Sequence, residues 1–322
     1  MKKVVALVLC FIMLFSTQAL AVCQGDETMT QPTFISVITD FVERFFSVFT
    51  GSKNEKSDID FTIEAGQMFE KKKHFRSSHA STVAKMDDGR LISAYFAGDE
   101  EGADNVRIWF SVYDNGEWSA PVQVPSDDSV PHWNPVLINF GTYIRLYYKV
   151  GREIPYWVTK YTDTYDGGKT WSAPKKLVEG DTSGGRGPVK IKSIVLSDGT
   201  TIAGASTEQG PWRAFFDLST DGGKTWTKTD YITAKGVNGK DIGMIQPTIW
   251  QSGDGKVHAM FRTDCGRIYR SDSTDLGRTW TEAYSTGLMN NSSGIDCVRT
   301  EDGRLWLAHT PIGMPLRNIL IL

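Results

Sequence analysis

Cysteine is scarce in this chain: there are four among 322 residues, and one of them, Cys10, lies in an apolar leader. Cys23, Cys265 and Cys297 are too few for a disulfide scaffold, so stability must come from a packed core, although an exported chain could pair Cys265 with Cys297. Positive charge is not in excess either. Thirty-five Lys and Arg face 38 Asp and Glu, a net charge of −3, which leaves no basic footprint for nucleic acid. No zinc-ligand spacing, P-loop or Gly-x-Ser-x-Gly elbow occurs, so neither a metal nor any other cofactor is expected. Beyond the leader no segment is long and apolar enough to cross a bilayer.

The leader itself has an export pattern. Lys2 and Lys3 precede an apolar run over 4–15, and Ala19-Leu20-Ala21 has the small-x-small form of a cleavage site. Cleavage after Ala21 predicts a secreted or periplasmic protein that meets the membrane only through this signal. A lipid anchor on Cys23 is the lesser alternative, because Val22 is bulky for the position before a lipidated cysteine. About 300 residues remain, enough for one large all-β domain or two ordinary ones, with a monomer expected.

Residues 22–59 stand apart. Phe34, Ile35, Val37, Ile38, Phe41, Val42, Phe45, Phe46 and Phe49 recur at helical spacing opposite Asp40, Glu43 and Arg44, and Gly51 ends the pattern. The spacing predicts a short amphipathic helix packed on the main domain, followed by a polar linker over 52–58. A membrane-surface helix or a pro-segment is the alternative, but basic residues are sparse.

From residue 60 onward, short β-branched and aromatic runs alternate with Gly-, Asp- and Ser-rich turns, the pattern of many antiparallel strands. One motif is written three times: Thr164-Tyr-Asp-Gly-Gly-Lys-Thr-Trp171, Ser219-Thr-Asp-Gly-Gly-Lys-Thr-Trp226 and Ser273-Thr-Asp-Leu-Gly-Arg-Thr-Trp280. A worn copy keeps Asp114, Gly116 and Trp118, and the four aspartates are 52, 55 and 54 residues apart. Asp88-Gly89, Asp198-Gly199, Asp254-Gly255 and Asp302-Gly303 run in step. A repeat of roughly fifty residues with four strands is the size of a propeller blade. The motif chemistry is structural: Asp accepts turn amide bonds, Gly takes positive φ and Trp wedges into the blade. Asp166, Asp221 and Asp275 are therefore assigned to folding.

Innermost propeller strands line a central funnel, so their polar residues are the informative ones. Four segments are expected to be such strands: Ser78-His-Ala-Ser-Thr82, His132-Trp-Asn-Pro-Val136, Gly187-Pro-Val-Lys-Ile-Lys192 and Ile245-Gln-Pro-Thr248. Period-two spacing places Lys190 and Lys192 on one side, either as a cationic wall for a sugar carboxylate or as one paired and one solvated lysine.

These segments, with Asn290-Asn-Ser-Ser-Gly-Ile-Asp296, resemble the sialidase-like BNR-repeat family from His79 to about Thr310. The resemblance implies an all-β six-bladed propeller of the sialidase type, ending here after four to five blades, and a glycan substrate. It implies an exo-glycosidase that removes a terminal acidic sugar, with arginines clamping the carboxylate, a Tyr–Glu nucleophile pair and an Asp acid/base. Arg262 matches the second arginine. His79 occupies the slot of the first, with Arg76 three residues before it. The third arginine and the tyrosine belong to late blades, where Arg317 is a poor candidate. Glu101 and Asp104 resemble the acid/base position, and Glu208 the glutamate that activates the tyrosine. Asn134, Gln246, Lys190 and Lys192 complete the expected substrate contacts. Each carboxylate also has a plain reading as a solvated loop group, and His79 as a core histidine. His79 with two lysines equally suits a lyase or rhamnosidase-like hydrolase on uronate-containing polysaccharide. The remaining reading is a non-catalytic carbohydrate-binding propeller.

Overall fold

The computed structural model describes residues 66–311 apart from Asp127 and Gln209. The export signal, the helix expected over 34–49 and Arg317 lie outside the described residues.

The described residues form successive antiparallel meanders. The first sheet is β1 (Ser77–Lys85), β2 (Leu91–Gly98), β3 (Arg107–Asp114) and β4 (Glu117–Trp118), with β5 (Val122–Gln123) also paired to β3. The second is β6 (His132–Asn139), β7 (Ile144–Val150), β8 (Val158–Thr164) and β9 (Lys175–Lys176). The third is β10 (Ile194–Val195), β11 (Thr201–Thr207), β12 (Arg213–Ser219) and β13 (Thr227–Lys228). The fourth is β14 (Met244–Gln251), β15 (Val257–Thr263), β16 (Arg267–Ser273) and β17 (Tyr284–Met289), and β18 (Asp296–Arg299) with β19 (Leu305–Ala308) begins a fifth. This is the expected all-β propeller arrangement, with four blades and the start of a fifth among the described residues.

The core shows why these strands are apolar on both faces. Ile92, Phe96 and Phe110 of the first blade pack on Leu146 and Tyr148 of the second. Val136 and Tyr147 of the second meet Trp226 of the third, Phe216 of the third meets Phe261 of the fourth, and Trp250 and Met260 of the fourth meet Ile295 and Cys297 of the fifth. The second, third and fourth blades are thus each sandwiched between neighbours, and β7 is buried along its whole length. Burying one such side chain contributes about 2 kcal/mol.

The Asp-box turns behave as their chemistry requires. Asp221 Oδ1 accepts the amides of Lys224 and Thr225 at 3.0 and 2.9 Å, and Oδ2 accepts the Thr225 hydroxyl at 2.6 Å. Asp166 and Asp275 repeat the Thr amide and hydroxyl bonds. Hydrogen bonds from Thr170 hold the Asp166 carboxyl at about 2; at Asp275 burial pushes upward, but the Thr279 bonds outweigh it and leave about 2. Each box also docks on the blade before it. Gly168 approaches Phe110, and the carbonyl of Gly223 accepts a bond from Arg145 Nη1 at 2.8 Å.

Register assigns the two ends of the ring. The start of each first strand pairs with the end of the second: His79 with Phe96, Trp133 with Lys149, Ile245 with Arg262. The Asp-boxes follow third strands whose ends pair with the starts of second strands, as Thr201 does with Ser219. The boxes therefore occupy one end and the loops between second and third strands the other.

Two expectations are corrected. Residues 187–192 are not a strand; only Ile194–Val195 is. Gly187 and Lys190 take positive φ and Pro188 has no N–H, so this stretch cannot keep a ladder. The period-two argument for the two lysines fails with it. Nor are Cys265 and Cys297 bridged: both are free, the first exposed in a loop and the second buried. Burial raises the Cys297 thiol to about 11, and its sulfur lies 3.2 Å from Thr248 Oγ1.

Candidate functional site

The end away from the Asp-boxes carries a feature that recurs blade by blade. Ala80, Asn134, Lys190, Gln246 and Ser292 all have positive φ, between 45° and 64°. Register shifts at the first, second and fourth of these positions mark β-bulges on the innermost strands. A left-handed conformation at a non-glycine residue costs about 1–3 kcal/mol, so repeating it around a ring identifies a place where the fold aims side chains off the pleat.

Three of the five are tied into one network or border it. Gln246 Nε2 donates to Glu208 Oε1 at 3.0 Å, and its Oε1 accepts Arg262 Nη1 at 3.1 Å. Arg262 Nε donates to Ser292 Oγ at 3.3 Å, and the guanidinium lies 5.4 Å from the Trp212 ring centre. Ser206 Oγ donates to Glu208 Oε1 at 3.3 Å. Carboxylate, amide, guanidinium and hydroxyl thus form one chain spanning the third, fourth and fifth blades. Lys190 borders its far end, since a Cβ on Gly294 would overlap the Lys190 ammonium.

Lys192 is placed otherwise. Its Nζ meets Asp296 Oδ1 at 2.5 Å and the carbonyl of Cys297 at 2.6 Å, and Thr248 Oγ1 donates to the same carboxylate at 2.8 Å. It joins the third blade to the fifth.

On the first two blades the expected residues are more dispersed. His79 is exposed, its ring stacked 5.6 Å from that of Phe96 and its Nε2 3.0 Å from Ser77 Oγ. Arg76 is exposed just before β1, and Asn134 is buried. Glu101 and Asp104 lie in the β2–β3 loop at the end away from the Asp-boxes; both are exposed, and Asp104 pairs with Arg152 from the β7–β8 loop. Gly102 of the loop rests against Trp133.

Sequence reasoning missed a second layer. Lys149 and Asp217 are buried in otherwise apolar strands, which is itself the signal that could have found them. Asp217 accepts Arg186 Nε at 2.9 Å and the Gly187 amide at 2.6 Å. Ser252, His258 and Asp272 also form a relay, with 2.8 and 2.5 Å steps. It lies at the Asp-box end, and Ser252 also binds Asp254 and the Lys256 carbonyl; Thr300, Asp302 and Arg304 repeat that brace in the next blade, so it is a turn lock. Among the described residues no cluster of His, Cys, Asp and Glu has metal-ligand grouping.

The BNR repeat-like domain family matches residues 89–322. The chain belongs to this family. No curated protein matches it. Among solved structures, this BNR repeat-like protein is similar to one of unknown function from Dyadobacter fermentans, at 16% identity and a TM-score of 0.60, over 72% of this chain and 74% of that one. It is similar to the Hadza microbial sialidase Hz136 at 18% identity and a TM-score of 0.61, over 74% of this chain and 54% of that one. A variant of the NanB sialidase from Streptococcus pneumoniae aligns at 13% identity and a TM-score of 0.60, over 78% and 59%. The chain thus spans little more than half the length of these two sialidases. At such identities the likeness is one of fold.

Proposed function

We propose that this BNR repeat-like protein is an exported, sialidase-like exo-glycosidase that removes a terminal acidic sugar from glycans. The observation that carries the reading is the Glu208–Gln246–Arg262–Ser292 chain on the bulged end of the propeller. A guanidinium there can take a sugar carboxylate in a planar, bidentate grip. Glu208, held through Gln246 at a fixed distance from that grip, is the candidate base that activates a nucleophile. Asp104, with Glu101 beside it, is the candidate proton donor, carried on a loop of the same end. Export through the leader would bring the protein to extracellular or periplasmic glycans.

The test is release of a fluorogenic group from a terminal sialoside. Glu208→Gln should lower kcat by roughly 10²–10⁴-fold, the usual range for a lost general base. Arg262→Ala should mainly raise KM. No turnover by the wild-type protein would refute the sialidase reading.

A second reading is favoured by His79, whose exposed ring stacks on Phe96 at the same end, in the slot where the sialidase resemblance calls for an arginine. His79 then takes the proton from the carbon next to a uronate carboxylate, the freed electron pair forms a C=C bond, and the glycosidic C–O bond on the adjacent carbon breaks. The linked sugar departs as its alcohol with a proton from water, and the product is an unsaturated uronate absorbing in the ultraviolet. A panel of uronic polysaccharides decides it: absorbance that grows with wild type and not with His79→Ala supports the lyase, and no growth on any of them removes it. Binding on a glycan array without any turnover would leave a carbohydrate-binding propeller.

A further inference from the structure

Lys149 is 1% exposed, in a strand whose other residues are Ile144, Arg145, Leu146, Tyr147, Tyr148 and Val150. Its Nζ donates to Thr159 Oγ1 at 2.7 Å and to the carbonyl of Arg186 at 2.5 Å. Thr159 Oγ1 already donates to that carbonyl at 2.6 Å. Hydrogen-bond satisfaction of Arg186 therefore does not call for a lysine, and packing would be served by a methionine without the penalty of burying an ammonium. The charge needs another explanation.

The loop that Lys149 holds supplies one. Residues 184–187 thread a passage without slack: a Cβ on Gly184 would meet the carbonyl of Pro155 at 2.5 Å, and one on Gly185 would lie 3.0 Å from the carbonyl of Ser206. Ser206 Oγ reaches both Glu208 and the Gln246 amide, at 3.3 and 3.4 Å. On its other side the loop runs three residues from Gly187 to the Lys190 bulge. Asp217 fixes it from below through Arg186 and Gly187.

We propose that Lys149 is a positioning residue of the glycan site: its buried ammonium pins the Arg186 carbonyl, and through the 184–190 loop sets the placement of Glu208 and Lys190. The role rests on the glycan-cleaving reading above. The groups that face the ammonium are Thr159, the Arg186 carbonyl and guanidinium, and the carboxylates of Asp217, Glu208 and Asp181. Burial lowers the ammonium to about 8 against the pull of those carboxylates, so its charge is lost under mildly alkaline conditions.

Lys149→Met and Lys149→Arg test this in the full chain by two readouts. Turnover of whichever substrate the wild type cleaves should fall 10- to 100-fold in kcat for Lys149→Met, with the thermal midpoint unchanged or raised. The wild-type kcat should decline above pH about 8, and the arginine variant, which stays charged, should lack that decline. Hydrogen–deuterium exchange of peptides spanning 184–192 should speed up at least tenfold in Lys149→Met alone. Unchanged exchange there overturns the proposal, as does a wild-type kcat equal to that of Lys149→Met. If the wild type cleaves nothing on either substrate panel, the glycosidase reading falls and the exchange measurement alone decides the positioning role.

Discussion

Replacing Asp217 with asparagine should be among the most damaging single changes to this propeller that leaves side-chain volume almost untouched. Asp217 is fully buried in β12, and its carboxylate meets Arg186 Nη2 at 2.8 Å, Arg186 Nε at 2.9 Å and the Gly187 amide at 2.6 Å. The Arg186 side chain is 15% exposed. Asparagine presents one oxygen and one NH₂ in place of two oxygens, so it can serve the guanidinium or the Gly187 amide but sets a donor against the other. It also leaves Arg186 as an uncompensated, largely buried cation. Breaking one side of a buried pair costs about 3–5 kcal/mol. For a domain of this size each kcal/mol shifts Tm by roughly 2–4 °C, so a fall of about 6–20 °C is expected. Urea unfolding followed by tryptophan fluorescence should show a lower midpoint with an unchanged slope. A loss under about 1 kcal/mol would mean that Asp217 is not the anchor of the 184–187 loop, and the passage beside Ser206 would need another support.

Four further outcomes follow from the same geometry. Asp166 and Asp275 sit near 2 instead of 3.8, so the stability they contribute is present above about pH 4 and is lost as pH falls toward 2; urea midpoints measured from pH 5 to 2 should drop less steeply in Asp275→Asn than in wild type. Lys149 has the opposite sense: at about 8 against 10.5 when unfolded, it destabilises the fold below pH 8 and releases that cost, up to about 3 kcal/mol, as pH rises to 10.5, so the stability gap to Lys149→Met should narrow over that window. Gly294→Ala places a methyl where the Lys190 ammonium lies, and should raise KM for an acidic glycan several-fold while leaving Tm within about 2 °C, measured by turnover and calorimetry. Arg145→Met removes the contacts to Asp163 and to the Gly223 carbonyl, leaves Asp163 unpaired, and should lower stability by about 3 kcal/mol in urea unfolding.

The blades were legible because the Asp-box is a local code: its Asp, Gly, Thr and Trp satisfy one turn among themselves, so their spacing states the repeat before any long-range contact is known. Gln246, Glu208 and Arg262 were singled out through the resemblance to the BNR-repeat family, not through the repeat itself, and the fold brings the three into one hydrogen-bonded chain. Lys190 and Lys192 show the limit. Alternation presumes a regular strand, and Gly187, Pro188 and the left-handed Lys190 break it, sending one lysine to the edge of Gly294 and the other to Asp296. Lys149 and Asp217 escaped because their partners lie 37 and 31 residues away in chain and come together only when the second and third blades stack. The Cys265–Cys297 pairing was suggested by compartment and number alone, neither of which carries information about distance.

The central claim is that the bulged end of the ring, with Arg262 at its middle, is where a glycan sits. A crystal structure of Glu208→Gln soaked with an acidic sugar tests it most directly. The sugar carboxylate should lie within hydrogen-bond distance of the Arg262 guanidinium, between Trp212 and Ser292. A sugar seated instead among the Asp-box turns, with Arg262 still bound only to Gln246 and Ser292, would contradict it.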